Sequence, residues 1–83
     1  MRTNKPKIEA IQKQLLNELN HAFDKFDKFN TPHEGYAVIL EELDELWEAI
    51  KQNKPTNELT IEAYHIAAMA IRFLHDLCHI KHE

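Results

Sequence analysis

The stretch His33-Glu34-Gly35-Tyr36-Ala37-Val38-Ile39-Leu40-Glu41-Glu42-Leu43-Asp44-Glu45-Leu46-Trp47-Glu48-Ala49-Ile50 decides the fold. At the helical step of about 100° per residue it separates into two faces. Tyr36, Ile39, Leu40, Leu43, Leu46, Trp47 and Ile50 fall on one side, where the core is expected. Glu34, Glu41, Glu45 and Glu48 fall on the other, and Glu42 lies on the border between acid and apolar. Any chemistry is expected to start from the acidic side.

The signals on either side of this stretch are also helical. Thr31 is placed to cap, Pro32 suits the first helical position, and Glu34 is placed to reach back as the second half of a capping box. The helix is predicted to run to about Gln52. Asn53-Lys54-Pro55-Thr56-Asn57 is the clear loop, because Pro55 disfavours helix at Lys54. Upstream, Asn4 and Pro6 open a first helix predicted to reach about Phe29. Its stripe is Ile8, Ile11, Leu15, Leu19, Ala22, Phe26 and Phe29, widened by Leu16 and Phe23. Downstream, a third helix starts between Thr56 and Thr60 and reaches about His79. Ile61, Tyr64, Ala67, Ala68, Ile71, Leu74, Leu77 and Cys78 form its apolar side. No strand pattern or repeat is present. The expected fold is all-α: three helices built on an antiparallel helical hairpin, which completes a four-helix-type bundle by oligomerisation.

Size and charge narrow the function. The 83 residues allow one small domain, residues 1–83, with a core small enough that a homodimer or homotetramer is expected. A net charge of −4 argues against general nucleic-acid binding, and no helix carries a basic, base-reading face. No run approaches the roughly 20 apolar residues that span a bilayer, and no signal-peptide pattern opens the chain, so a cytoplasmic protein without a membrane partner is expected. The single cysteine, Cys78, reads as a small buried thiol.

The candidate chemistry lies in two short motifs. Glu41 and Glu45 are i,i+4 neighbours, and Glu42 and Glu45 are i,i+3 neighbours. Carboxylates this close repel one another unless they are solvated, paired or neutralised by a cation, and hard oxygen donors at this density suit Mg²⁺ or Mn²⁺. Two readings stand: a solvated acidic face, or a metal site that takes phosphate oxygens. Glu62 and His65, i,i+3 near the start of the third helix, bear on both. A short loop makes the second and third helices antiparallel, so Glu42 and Glu45 are able to face Glu62 and His65 across the hairpin. Equally, Glu62 serves as a first-turn acid that complements the helix dipole.

Glu41-Glu42-Leu43-Asp44-Glu45 resembles the E-E-x-x-E motif of the MazG-like, all-α nucleoside triphosphate pyrophosphohydrolases. That family carries E-x-x-D on its next long helix, and Glu62-Ala63-Tyr64-His65 occupies the equivalent place here. The flanking words from His33 to Leu40 and from Ala67 to Phe73 are similar to small phage and prophage members, and the resemblance covers roughly residues 20 to 77. It implies a metal-dependent cleavage of a nucleoside triphosphate between its α and β phosphates, giving the monophosphate and pyrophosphate. It also implies that Glu42, Glu45 and Glu62 hold Mg²⁺, with Mn²⁺ as the other candidate, and that Glu41 acts beside them as a ligand or water-orienting base. His65 stands where the family has Asp. Imidazole suits Mn²⁺, Zn²⁺ or Ni²⁺ better than Mg²⁺, so His65 joins the ligand set with a different metal preference. A non-catalytic relative that binds nucleotide, metal or a protein partner is the alternative, and His65 is the feature that favours it.

Other residues have plainer readings. Lys51 and Lys54 are candidate phosphate contacts or solvated lysines. Trp47 and Tyr36 are able to stack on a base, but their place on the apolar face reads as core. His75 and His79 are spaced i,i+4 with Cys78 and His82 nearby, a metal pair with no third ligand fixed, or surface histidines at a helix end.

Overall fold

The computed structural model describes residues 4–25 and 27–78. Three α-helices, α1 (Lys5–Lys25), α2 (Pro32–Lys51) and α3 (Thr56–Phe73), are followed by a π-helical turn, Leu74–Cys78. No strand occurs among the described residues.

Helix α2 starts as its sequence dictates. The Thr31 hydroxyl accepts the Glu34 N–H at 3.1 Å, and Pro32 sits where a missing N–H costs nothing. The Glu34 carboxylate reaches one residue further back than a capping box requires and accepts the Asn30 N–H at 2.7 Å. At the other end, Asn53 takes the left-handed conformation with φ 56°. Its N–H donates to the Ile50 carbonyl and the Lys54 N–H to the Ala49 carbonyl, each at 3.0 Å, which closes a Schellman motif. The chain then turns through Pro55 into α3, which has no side-chain cap.

The hairpin is antiparallel. Gly35, near the start of α2, meets Phe73 at the far end of α3 and Leu77 in the π-helical turn after it, while Glu42 meets His65 and Glu62 near the start of α3. A Cβ at Gly35 would lie 2.6 Å from the Phe73 ring, so any larger residue there requires the Phe73 ring to move. Helix α1 packs on α3, and Ala22, Phe29, Ala68 and Met69 form the core, flanked by Leu15, Leu19, Val38, Ile39, Phe73 and Leu77.

Four expectations need correction. The first helix does not reach Phe29: Asp27–Asn30 is an irregular linker, because tertiary contacts hold it more favourably than another helical turn would. The Phe29 N–H donates to Asp76 at 2.9 Å, and Arg72 donates to the Asp27 carbonyl at 2.6 Å. Second, the inward face of α2 is rotated about a quarter turn from the predicted stripe at about 100° per residue. Gly35 and Ala49 are buried and Glu42 is half-buried among them, while Tyr36 (63% exposed), Trp47 (55%), Leu43 (49%), Ile50 (44%) and Leu40 (39%) face outward. Third, Ile8, Ile11, Leu16 and Phe23 of α1, and Ile61 and Leu74 beyond it, are likewise exposed rather than core. Fourth, Cys78 is exposed. Phe26, His79 and His82, along with the predicted end of the third helix at His79, fall outside the described residues. Among the described residues, no helix is long and apolar enough to cross a membrane.

Candidate metal centre

The border position of Glu42 on α2 brings it inside the hairpin. Because α2 turns its Gly35–Val38–Glu42–Ala49 side toward α3, Glu42 points where an apolar residue would be ordinary, opposite Glu62 and His65. Those two occupy one face of the first turns of α3, at i and i+3. The antiparallel register fixed by the Schellman turn brings the pair level with Glu42.

His65 Nδ1 lies 3.5 Å from Glu42 Oε2 and 3.6 Å from Glu62 Oε1. One donor atom from each of the three residues lies within 4.8 Å of the others. Donors about 2.1 Å from a divalent ion stand roughly 3.0 to 3.5 Å apart at neighbouring coordination positions. The two imidazole–carboxylate separations are therefore close to those of a ligand set, and slightly long for hydrogen bonds. Glu42 Oε2 and Glu62 Oε1 are both buried and hydrogen-bonded to nothing among the described residues. Buried carboxylate oxygens of this kind are costly without a cation or donor.

The electrostatics agree. Burial pushes the Glu42 carboxyl above its ordinary value, and the charges of Glu45, Glu62 and Glu41 push it further, against a downward pull from His65. A cation at the cluster would relieve each of the upward pushes.

The other acids stand apart from this triad. Glu41 and Glu45 are exposed. With Asp44, Glu48, Glu58 and Glu62 they line a groove of about 380 Å³ between α2 and α3, which Lys54 also borders. Glu62 belongs both to this groove and to the triad, so Glu45 and Glu41 are beside the cluster but outside its ligand distances. Lys51 is already engaged: it pairs with Glu48 at 2.7 Å, which holds the Glu48 carboxyl below its usual range, and it lies 5.7 Å from the Trp47 ring. Lys54 is the basic residue of the hairpin loop that borders the groove. Trp47 and Tyr36 lie on the outward face of α2, away from the triad.

Sequence reasoning missed a second polar centre at the other end of α3. Arg72 is 1% exposed. Its guanidinium lies 5.1 Å from the centroids of both Phe23 and Phe29 and 3.6 Å from Asp76. Asp76 in turn binds His75 Nδ1 at 2.7 Å and the Phe29 N–H. Burial pushes the Asp76 carboxyl up, but its hydrogen bonds with His75 and Phe29 and the Arg72 charge outweigh that and hold it below its ordinary value. The i,i+4 spacing of Arg72 and Asp76 was the available signal, and it is indistinguishable from a surface ion pair until the linker is in place. His75 is thus bound to Asp76 and packs edge-on against Phe23, 4.9 Å between centroids.

No protein-family model, curated protein or solved structure matches this chain.

Proposed function

We propose that this chain is a metal-dependent nucleoside triphosphate pyrophosphohydrolase, cleaving the triphosphate to the monophosphate and pyrophosphate. The observation that carries the reading is the convergence of Glu42, Glu62 and His65, from two helices, with two buried carboxylate oxygens that lack hydrogen bonds. A structural ion pair would need only one of the acids, and a solvated acidic face would not bury them. A bound divalent ion would neutralise phosphate charge and lower the pKa of an attacking water. Glu42, Glu62 and His65 would hold it. Glu45 and Glu41 line the adjoining groove, where Glu45 would add negative charge beside the ion and Glu41 would orient the attacking water. The nitrogen donor moves the preference from Mg²⁺ toward Mn²⁺.

The working form is an oligomer, most simply a homodimer joined through the outward apolar arc of α2. The supporting observation is the poverty of the core: among the described residues, three of the five buried hydrophobic ones are alanines. A small chain with this core needs further burial, and a second copy is the partner always at hand.

The test is pyrophosphate release from a panel of canonical and modified (deoxy)nucleoside triphosphates with Mn²⁺ and Mg²⁺ in parallel. Release is expected with Mn²⁺ at least as fast as with Mg²⁺, and about a hundredfold slower in Glu62→Gln, a loss of the size that follows disruption of a metal site. His65→Asp should move the preference back toward Mg²⁺. A folded protein that releases pyrophosphate from no nucleotide with either metal overturns the enzyme and leaves a non-catalytic helical protein that binds metal, nucleotide or a partner.

A further inference from the structure

The first half of α1 is a helical arm that its own chain leaves uncovered. Residues 5–14 are all exposed, and Leu15 is the first residue of α1 to be even partly buried. Among the described residues, no hydrogen bond or ion pair ties this arm to α2 or α3. A short helical segment without tertiary contacts is marginal in water, because most helical stability in a protein comes from packing an apolar face. The arm has such a face. At about 100° per residue, Ile8, Ile11 and Leu15 share one arc, with Leu16 at its edge. Ile8, Ile11 and Leu16 are each about half exposed. Lys7 borders the arc on one side and Lys13 on the other, Lys5 lies within it, and Glu9 is the single acid of the arm.

The outward face of α2 is the reverse in charge. Tyr36, Leu40, Leu43, Trp47 and Ile50 follow one another at alternating steps of four and three, the spacing of a seam that receives a partner helix. All five are exposed. Asp44 borders the seam, and Glu41, Glu45 and Glu48 continue the acidic side beyond it. Lys51, the lysine at the end of the seam, is already held by Glu48 at 2.7 Å. Two α2 helices laid seam to seam would therefore bring these acids no further lysine, whereas the arm brings Lys5, Lys7 and Lys13. The lengths also agree: at 1.5 Å per residue the arm spans about 15 Å and the seam about 21 Å.

We propose that the arm of one copy lies along the α2 seam of a second copy, with Ile8 and Ile11 packed around Leu43 and Trp47 and a lysine edge on the acidic border. A two-fold axis makes the exchange reciprocal. Each arm covers the other chain's seam, so one closed dimer satisfies both uncovered faces of both chains. Positive charge from the partner copy thereby reaches the rim of the groove lined by Glu41, Asp44, Glu45 and Glu48. The exchange rests on the reading of the chain as a dimer joined through the outward arc of α2.

Two double variants of the full chain decide it. Ile8→Gln with Ile11→Gln disables the arm and keeps the seam, whereas Leu43→Gln with Trp47→Gln disables the seam and keeps the arm. All four side chains are exposed in the single chain and glutamine favours helix, so circular dichroism should show both variants folded. In analytical ultracentrifugation each variant alone should dimerise at least about tenfold more weakly than wild type. Mixed, they should recover a heterodimer, because one chain's intact arm meets the other's intact seam. Trp47 is the only tryptophan, so emission from the mixture reports the seam of the arm variant alone. It should move to shorter wavelength as the seam variant is added. An arm variant that dimerises as tightly as wild type, or a mixture that forms no heterodimer, overturns the exchanged arm while leaving the wild-type dimer in place. Wild type that stays monomeric at every concentration overturns the dimer itself.

Discussion

Asp76 and Glu42 are both inward-facing carboxyls on this small scaffold, and their surroundings push them in opposite directions. Asp76 is surrounded by donors and an arginine, so its folded pKa lies below its unfolded one. The stability it contributes is present above the ordinary aspartate range, near pH 4, and is lost as pH falls through the folded value. Asp76→Asn should therefore flatten the acid limb of the stability profile. It should also cost about 3 kcal/mol at neutral pH, because it removes the buried carboxylate that pairs with Arg72 and accepts the Phe29 N–H. Urea unfolding at several pH values checks both, and an unchanged acid limb would remove Asp76 from the balance. Glu42 is raised, and its buried oxygen lacks a hydrogen bond. Residue identity alone did not separate the two roles. Glu42 stood out as a candidate because it sat in a dense acidic motif, whereas Asp76 did not because its partners, Arg72 and the Phe29 amide, lie in different segments of the structure.

Among the elements, α2 was the most legible and also the most misleading. Its start at Thr31-Pro32, its end near Gln52 and its antiparallel return followed from capping chemistry and a proline. Its orientation did not. The apolar residues cover an arc wider than one neighbouring helix needs, so periodicity leaves open which half turns inward. Gly35 decides the matter, since its missing side chain is where Phe73 and Leu77 fit. Gly35→Leu should force the helices apart and cost about 2–3 kcal/mol by overpacking, even though leucine favours helix more than glycine. Thermal unfolding read by circular dichroism measures it. A neutral or stabilised variant would show that the Phe73 ring swings clear and that glycine is not what sets the register. The linker shows the opposite failure: Phe29 continues the α1 stripe in sequence, but tertiary bonds take it out of the helix.

For the whole molecule, the determining feature is the apolar arc of Leu40, Leu43, Trp47 and Ile50 left outside the chain's own core. If a second copy covers it, stability should rise with protein concentration. Leu43→Glu combined with Trp47→Glu should convert the oligomer to a monomer in light scattering and lower its melting temperature. A wild-type chain that is monomeric at high concentration, with a melting point independent of dilution, would leave the arc without this role. The Glu42–Glu62–His65 cluster faces the interior of the hairpin rather than the arc, so metal affinity measured in such a monomer would tell whether one chain suffices for the proposed site.

The bond from the Phe29 N–H to Asp76 gives the molecule a built-in reporter. This amide lies outside every helix, so no neighbouring turn shields it, and a side chain 47 residues away is its acceptor. Its hydrogen–deuterium exchange should be slow only while the end of α3 is seated against the linker. The helix amides of α2, by contrast, remain protected until the hairpin itself opens. Comparing the two rates would separate undocking of the linker from global unfolding with a single resonance, without any substitution.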